Sequence, residues 1–386
     1  MMYEPFPGNY VWNLSVNICL GMGGVMGEID AANAKVRRAA QEGEDHGTEA
    51  FFAAWGEMAD RLYIQGERAE AAGHGLSAAE KYCRATAYYI TAERMQSRSY
   101  TPRKAMYATM LETMSRAIAA GGLNCERVEI PYQRSSYPAL FVRGHGEGPR
   151  PCMVFCNGLD SVKEMIFLVV RDTLARRGIS CLMVDQPGVG EALRLRGLNA
   201  VVESERWASA AVDYLETRTD VDSARIGMMG WSLGGYYAPR AAAYEKRFAL
   251  CVAWGANHNW GELQQRRLAR EGDLPVPHYW DHVMWVWGQS DLDSFKAFVP
   301  RVTLVGHLQN IKVPFLITHG ANDRQIPLAY AERSRAEAVN SPDLELKIFT
   351  EAEGGVEHVS ADNMEPVLSY IADWIADRFA AGAKSR

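Results

Sequence analysis

The stretch Ile226-Gly227-Met228-Met229-Gly230-Trp231-Ser232-Leu233-Gly234-Gly235 decides how this chain is read. Residues 230–234 spell G-x-S-x-G. Arg225 to Gly230 has the short apolar character of a buried strand, and Tyr236 to Tyr244 reads as an alanine-rich helix. A serine between such elements sits on a tight strand-to-helix turn, and the small residues flanking it let the backbone turn without side-chain collision. The turn lifts the hydroxyl above the carboxyl edge of a sheet, as a nucleophile requires.

A nucleophilic serine needs a base and an acid, expected downstream in the order serine, acid, histidine. Val313 to His319 is a buried-strand pattern that ends at Gly320 and runs into Ala321-Asn322-Asp323-Arg324, so Asp323 falls on the loop after a strand. Leu344 to Phe349 is the next strand. Gly354-Gly355-Val356-Glu357-His358 then delivers a histidine ahead of a final helix. The spacing assigns Ser232 the attack, His358 the proton transfer, and Asp323 the orientation of the imidazole. Asp291 and Asp293 are rivals for the acid. His278 and His282 are spaced i, i+4, but Tyr279 stands where a metal-binding H-E-x-x-H would carry glutamate, so the pair reads as cap or substrate-facing residues. His319, at a strand end, reads as structural.

Stabilising an oxyanion takes two backbone N–H donors. Leu233, after the nucleophile, supplies one. Met153-Val154-Phe155-Cys156-Asn157-Gly158-Leu159-Asp160 fits the strand and loop that supply the other, from Gly158 or Leu159; the sequence does not choose between them.

The 386 residues exceed one ordinary domain. Hydrophobic residues at 48% and charged residues at 23% are globular values, and a net charge of −6 argues against nucleic acid or an anionic membrane as partner. Seven scattered cysteines without a CxxC pair read as reduced thiols of a cytoplasmic protein. No run is apolar and long enough for a signal peptide or a membrane span. No metal cluster or dinucleotide fingerprint stands out, since Gly188-Val189-Gly190 lacks the third glycine of G-x-G-x-x-G, so no cofactor is expected.

The pattern changes near residue 122. Before it, Phe51, Trp55, Met58, Ala59 and Leu62 mark one helical face, Ser77 and Glu80 suggest a capping box, Thr101-Pro102 a helix start, and Gly121-Gly122 a stop. After it, a hairpin over 127–132 and 138–142 leads into alternating strands and helices, which indicates a mostly parallel α/β sheet. The expected organisation is a helical domain over 1–122 and a catalytic domain over 123–386. A lid over about 257–310 is rich in tryptophan (Trp260, Trp280, Trp285, Trp287) and would roof the site. Trp231 and lid residues such as Trp285 are candidates to face a flat aromatic substrate.

Three stretches carry a family resemblance: 157–164 (Asn-Gly-Leu-Asp-Ser-Val-Lys-Glu), 184–191 (Val-Asp-Gln-Pro-Gly-Val-Gly-Glu), and 230–240 around the serine. Together they resemble the α/β-hydrolase branch that holds the dihydroxypseudooxynicotine hydrolases of nicotine breakdown and the fungal hydrolases that shorten polyketides. The resemblance spans most of the chain, including a helical N-terminal cap. It implies hydrolysis of a carbon–carbon bond beside a ketone in a small metabolite, a homodimer, and a triad at Ser232, Asp323 and His358. It also implies an extra acidic residue near the substrate, for which Glu262, in Asn257-His258-Asn259-Trp260-Gly261-Glu262, is the candidate, with His258 beside it. The same triad would equally serve a carboxylesterase or lactonase. A non-catalytic ligand-binding relative is the remaining alternative, although a pure binder has no need of an activated serine.

Overall fold

A computed structural model describes residues 2–269 and 273–384. The chain divides into two units, Met2–Cys125 with Asp273–Trp285, and Glu126–Gly272 with Val286–Arg386. Residues 273–285, in the middle of the expected lid, thus belong with the N-terminal helices, while the rest of the lid belongs with the sheet.

The first unit is built on α1 (Tyr10–Gly21), α2 (Met26–Ala34), α3 (Thr48–Ala71), α4 (Gly75–Arg94) and α5 (Pro102–Gly121). The face of α3 read from the sequence is buried throughout: Phe51, Trp55, Met58, Ala59 and Leu62 are all core. Phe51 stacks on Trp55 at 5.0 Å, and Trp12 meets Phe51 edge-on at 4.9 Å. Proline opens α5, and Gly122 closes it in the left-handed region at φ 54°. The capping box expected at Ser77 and Glu80 is absent, because α4 already begins at Gly75, with His74 as its cap. The tight turn out of α3 bonds the His74 N–H to Ala69 O at 2.9 Å, so the next helix starts at once and Ser77 lies inside its first turn.

The second unit holds an eight-stranded sheet: β1 (Glu126–Tyr132), β2 (Ser135–Val142), β3 (Arg150–Cys156), β4 (Ser180–Val184), β5 (Val221–Trp231), β6 (Phe248–Trp254), β7 (Phe315–Gly320) and β8 (Leu344–Phe349). Their order is β1-β2-β4-β3-β5-β6-β7-β8. The β1–β2 hairpin is antiparallel and joins β4 antiparallel; every pair from β4 through β8 is parallel. Strands β4 and β7 are buried at every position, the mark of a parallel sheet covered on both faces. Strand β7 starts at Phe315, two residues later than its apolar run, because Pro314 has no N–H for the ladder.

The remaining helices are α6 (Lys163–Val170), α7 (Gly190–Arg194), α8 (Glu205–Glu216), α9 (Gly234–Tyr244), α10 (Trp260–Leu268), α11 (Tyr279–Val286), which up to Trp285 belongs to the first unit, α12 (Leu292–Phe298), α13 (Leu328–Glu337) and α14 (Glu365–Lys384), which follows the last strand. No described helix is long and apolar enough to cross a membrane.

Helix α9 approaches the end of β6 so closely that a Cβ on Gly235 would lie 1.9 Å from Gly255 O. Both partners are backbone, so neither can swing away. Gly235→Ala is therefore expected to cost about 1–3 kcal/mol of stability, the usual range for overpacking, read as a lower urea midpoint.

Candidate active site

Ser232 occupies a left-handed backbone conformation, φ 56°, on the turn from β5 to α9. Such a conformation costs a non-glycine residue about 1–3 kcal/mol and persists only where its surroundings impose it. Here the Ser232 N–H donates to Trp254 O at 2.9 Å, and Ser232 O accepts from the Gly235 N–H at 2.9 Å. A side chain on Gly230 would come within 2.5 Å of Cys156 Sγ, so the turn closes directly on β3.

The three residues read from the sequence meet here. Ser232 Oγ lies 2.8 Å from His358 Nε2, and His358 Nδ1 lies 3.1 and 3.0 Å from Asp323 Oδ1 and Oδ2. A carboxylate only accepts, so Nδ1 carries the proton and Nε2 is left to accept from the serine hydroxyl. The Asp323 side chain is buried, and its Oδ1 also accepts from the N–H groups of Gln325 (2.7 Å) and Ile326 (2.9 Å). Burial opposes ionisation of this carboxyl, yet the His358 imidazole and these hydrogen bonds hold its pKa below the ordinary carboxylate value. The arrangement can take a proton from Ser232 and return it to a leaving group.

His358 is aimed by strain as well. Val359 and Ser360, at φ 47° and 60°, follow it in the left-handed region, and Ser360 Oγ accepts from Trp254 Nε1 at 3.2 Å. The loops bearing acid and base are tied together by Asn322, which donates to Glu357 Oε1 at 2.8 Å, and by Arg324, 3.4 Å from Glu357 Oε2. Arg267 of α10 donates to Gln325 O and Oε1, at 3.2 and 2.6 Å, and so anchors the backbone that cradles Asp323. These supporting residues escaped the sequence reading. Each lies tens of residues from its partner, and no motif or periodicity links them.

Leu233 opens α9. Gly158 packs against Ser232: a Cβ there would stand 3.0 Å from Ser232 Cβ and 3.5 Å from its Oγ. The Gly158 N–H, however, donates to Ser161 Oγ at 2.9 Å, an intraloop bond that occupies one of the two expected oxyanion donors in the resting protein. Leu159, the other, is buried in the same loop.

The proposed substrate contacts fare differently. Trp231 is core: its Nε1 donates to Ser161 Oγ at 3.0 Å, and its ring meets Phe155 and Trp254 edge-on. Glu262, half-buried in the first turn of α10, is held in an ion pair with Arg333 at 3.0 Å and meets the Tyr330 hydroxyl. His258 is buried with both ring nitrogens facing α13, Nδ1 at 3.1 Å from Ser334 Oγ and Nε2 at 3.4 Å from Glu337. Burial holds its pKa below the ordinary imidazole value. Trp285 belongs to the helical unit, where the Arg103 guanidinium lies over its ring.

The rival acids have other work: Asp291 caps α12 in a reciprocal capping box, and Asp293 is fully in solvent. His278 Nε2 lies 3.2 Å from Thr48 Oγ1 within the helical unit. His319 is fixed between Ala256 N–H and Ile326 O. No group of three or more metal-ligating side chains converges among the described residues.

A parallel sheet with an antiparallel hairpin edge, a strained serine on the turn after its fifth strand, and acid and histidine on later loops define an α/β-hydrolase. The chain belongs to the prolyl oligopeptidase family, whose sequence model matches residues 172–381, and to the FrsA-like esterases, whose model matches 52–260. It is similar to 2,6-dihydropseudooxynicotine hydrolase of Paenarthrobacter nicotinovorans, 27% identical over 336 residues, covering 86% of each chain. It is also similar to hydrolase acrC of Aspergillus aculeatus, 24% identical, covering 72% of this chain and 75% of that one. The crystal structure of 2,6-dihydroxy-pseudo-oxynicotine hydrolase superposes with a TM-score of 0.77 over 95% of this chain and 96% of the other, at 24% identity, which shows the shared fold. The protein is a hydrolase.

Two outcomes follow from the geometry. Gly158→Ala should lower turnover about 10- to 100-fold, because a displacement below 1 Å at the reacting centre suffices for that, while leaving the urea midpoint nearly unchanged. The depressed pKa of Asp323 contributes stability above the unfolded value of about 3.9, and this is lost as pH falls through the lower folded value. Acid unfolding curves of wild type and Asp323→Asn should therefore converge at low pH and separate above about pH 4.

Proposed function

We propose that Ser232, His358 and Asp323 form a catalytic triad that hydrolyses a carbon–carbon bond beside a ketone in a small, aromatic metabolite. The observation that carries the reading is the continuous path from Asp323 through His358 to Ser232 Oγ, with contacts of 3.0 and 2.8 Å. Similarity to 2,6-dihydropseudooxynicotine hydrolase supplies the bond type.

In this scheme Ser232 attacks the ketone carbonyl as His358 Nε2 takes its proton, and Asp323 stabilises the imidazolium that results. The Leu233 N–H and a donor from the loop at 158–159 receive the developing oxyanion. A carbon leaving group departs only if its charge is delocalised, as a second carbonyl or a phenol ring ensures. His358 then protonates the departing carbon. Water, deprotonated by the same imidazole, releases the acyl group from Ser232 as a carboxylic acid. One water is consumed, and the products are an acid and a shortened ketone or arene. By the same resemblance, the protein works as a homodimer; its scattered, unpaired cysteines favour the cytoplasm, and no motif in the chain calls for a cofactor.

The match to the esterase family model favours a second reading, cleavage of an ester or lactone by the same three residues. A paired assay separates the two. Wild type and Ser232→Ala would be given 1-phenylbutane-1,3-dione and a short-chain nitrophenyl ester, with products identified by mass. The expected result is diketone cleavage that falls by about 10⁴-fold or more in the variant, the usual cost of removing a triad nucleophile. Fast ester turnover with no diketone cleavage would overturn the carbon–carbon reading in favour of the esterase.

A further inference from the structure

The stretches 157–164 and 184–191 drew notice in the sequence, yet apart from the loop donor neither has a part in the triad. The structure shows what they do to each other. The last residues paired between β3 and β4 are Cys156 and Val184. Beyond that point the ladder is continued by a side chain. Gln186 Oε1 accepts from the Asn157 N–H at 3.0 Å, and Gln186 Nε2 donates to Asn157 O at 3.0 Å. Backbone polarity leaves the amide no other orientation. Asn157 returns the contact by donating from Nδ2 to Val184 O at 2.8 Å.

Six residues on, the loop is fastened again. Asp185 accepts from the Lys163 N–H at 2.8 Å, from Lys163 Nζ at 3.0 Å and from the Glu191 N–H at 2.9 Å. The Lys163 ammonium is wholly buried and also meets Glu164 and Glu191 at 2.7 and 2.5 Å. Asn157, Lys163, Asp185 and Gln186 have no exposed surface. Between the two fastenings lies the segment 158–161, with Gly158 against Ser232 and Ser161 bonded to the nucleophile's neighbour Trp231.

We propose that Gln186, backed by the Lys163–Asp185 pair, is a positioning residue for catalysis: it holds the Asn157 backbone so that the N–H donors of the following loop stay fixed beside Ser232. The inference rests on the triad reading above and extends it to the β4–α7 loop, which touches none of the three reacting side chains. A donor held rigidly before reaction needs no reorganisation as charge develops, and that is where such donors gain their effect.

Gln186→Met keeps the volume and removes both hydrogen bonds; Gln186→Glu keeps the acceptor for the Asn157 N–H and loses the donor. Each would be compared with wild type in 4-nitrophenyl acetate hydrolysis, with active sites counted by a fluorophosphonate probe so that unfolded protein drops out. Phenylboronic acid, which forms a tetrahedral adduct on an active serine, reports the oxyanion contacts directly. Expected for Gln186→Met is a kcat per titrated site about 10- to 100-fold lower, the scale of a misplaced donor. KM should change little, and the inhibition constant of phenylboronic acid should rise by the same factor as kcat falls, with Gln186→Glu between. If Gln186→Met fails to fold, Gln186→Glu alone carries the comparison. Values of kcat and inhibition constant per titrated site within two-fold of wild type would overturn the inference, leaving the amide a structural role only. A wild-type protein that neither labels at Ser232 nor turns over the ester would overturn the triad reading, and the inference with it.

Discussion

The backbone of Ser232 is the constraint on which the rest of the catalytic unit depends. An L-residue at φ 56° is held against its own preference. What holds it is close packing that leaves no room for further side chains: Gly230 of β5 against Cys156 of β3, the α9 backbone against the end of β6 at Gly235, and the 158 loop against the serine itself. Sheet order follows from the same requirement. Strand β5 must lie between β3 and β6 for both neighbours to reach the turn, and it does. The hydrogen bond from Ser232 N–H to Trp254 O then fixes the end of β6, whose indole reaches on to Ser360 beside the histidine.

Around that turn, polar groups, most of them removed from water, are joined into chains with defined ends. One runs from Arg267 through the Gln325 backbone to Asp323 and His358. Another links Asn322 to Glu357, and a third joins Lys163, Asp185 and Gln186 to the loop at Asn157. A buried ion pair adds little net stability, since the desolvation of its charges offsets their attraction. Its geometric effect is larger: groups that lose several kcal/mol if separated in a dry interior leave the loops between them few alternative conformations. Apolar packing would fill the same space without fixing direction.

Much of this was legible in the chain. The G-x-S-x-G turn has a local signature, because tight backbone geometry restricts residue choice within five positions. Asp323 and His358, which lie within reach of each other and of Ser232, stand on loops that follow strand patterns, in the chain order the fold imposes. The strand Leu344–Phe349 appears as read. Side-chain partnerships across the fold were not legible. Glu262, read as an acid near substrate, is paired with Arg333, His258 lies against α13, and Trp231 is buried between Phe155 and Trp254, partnerships that no local pattern announces. Sequence gives a residue's chemistry and its element, but the direction of a side chain depends on packing between distant segments. The capping box misread at Ser77 has a similar cause, since the turn from α3 set the start of α4 before local preference could.

Three residues at the centre of the unit, Ser232, Val359 and Ser360, sit in backbone conformations that glycine would occupy more cheaply. Folding alone therefore exerts a steady pressure to replace them, and only turnover opposes it. In a lineage where the substrate disappears, that opposition lapses first at these positions, and the protein can drift toward a better-folded chain without a serine at 232. A chain that had drifted in this way would carry glycine at the three sites while its core residues stayed in place, which separates loss of use from loss of fold.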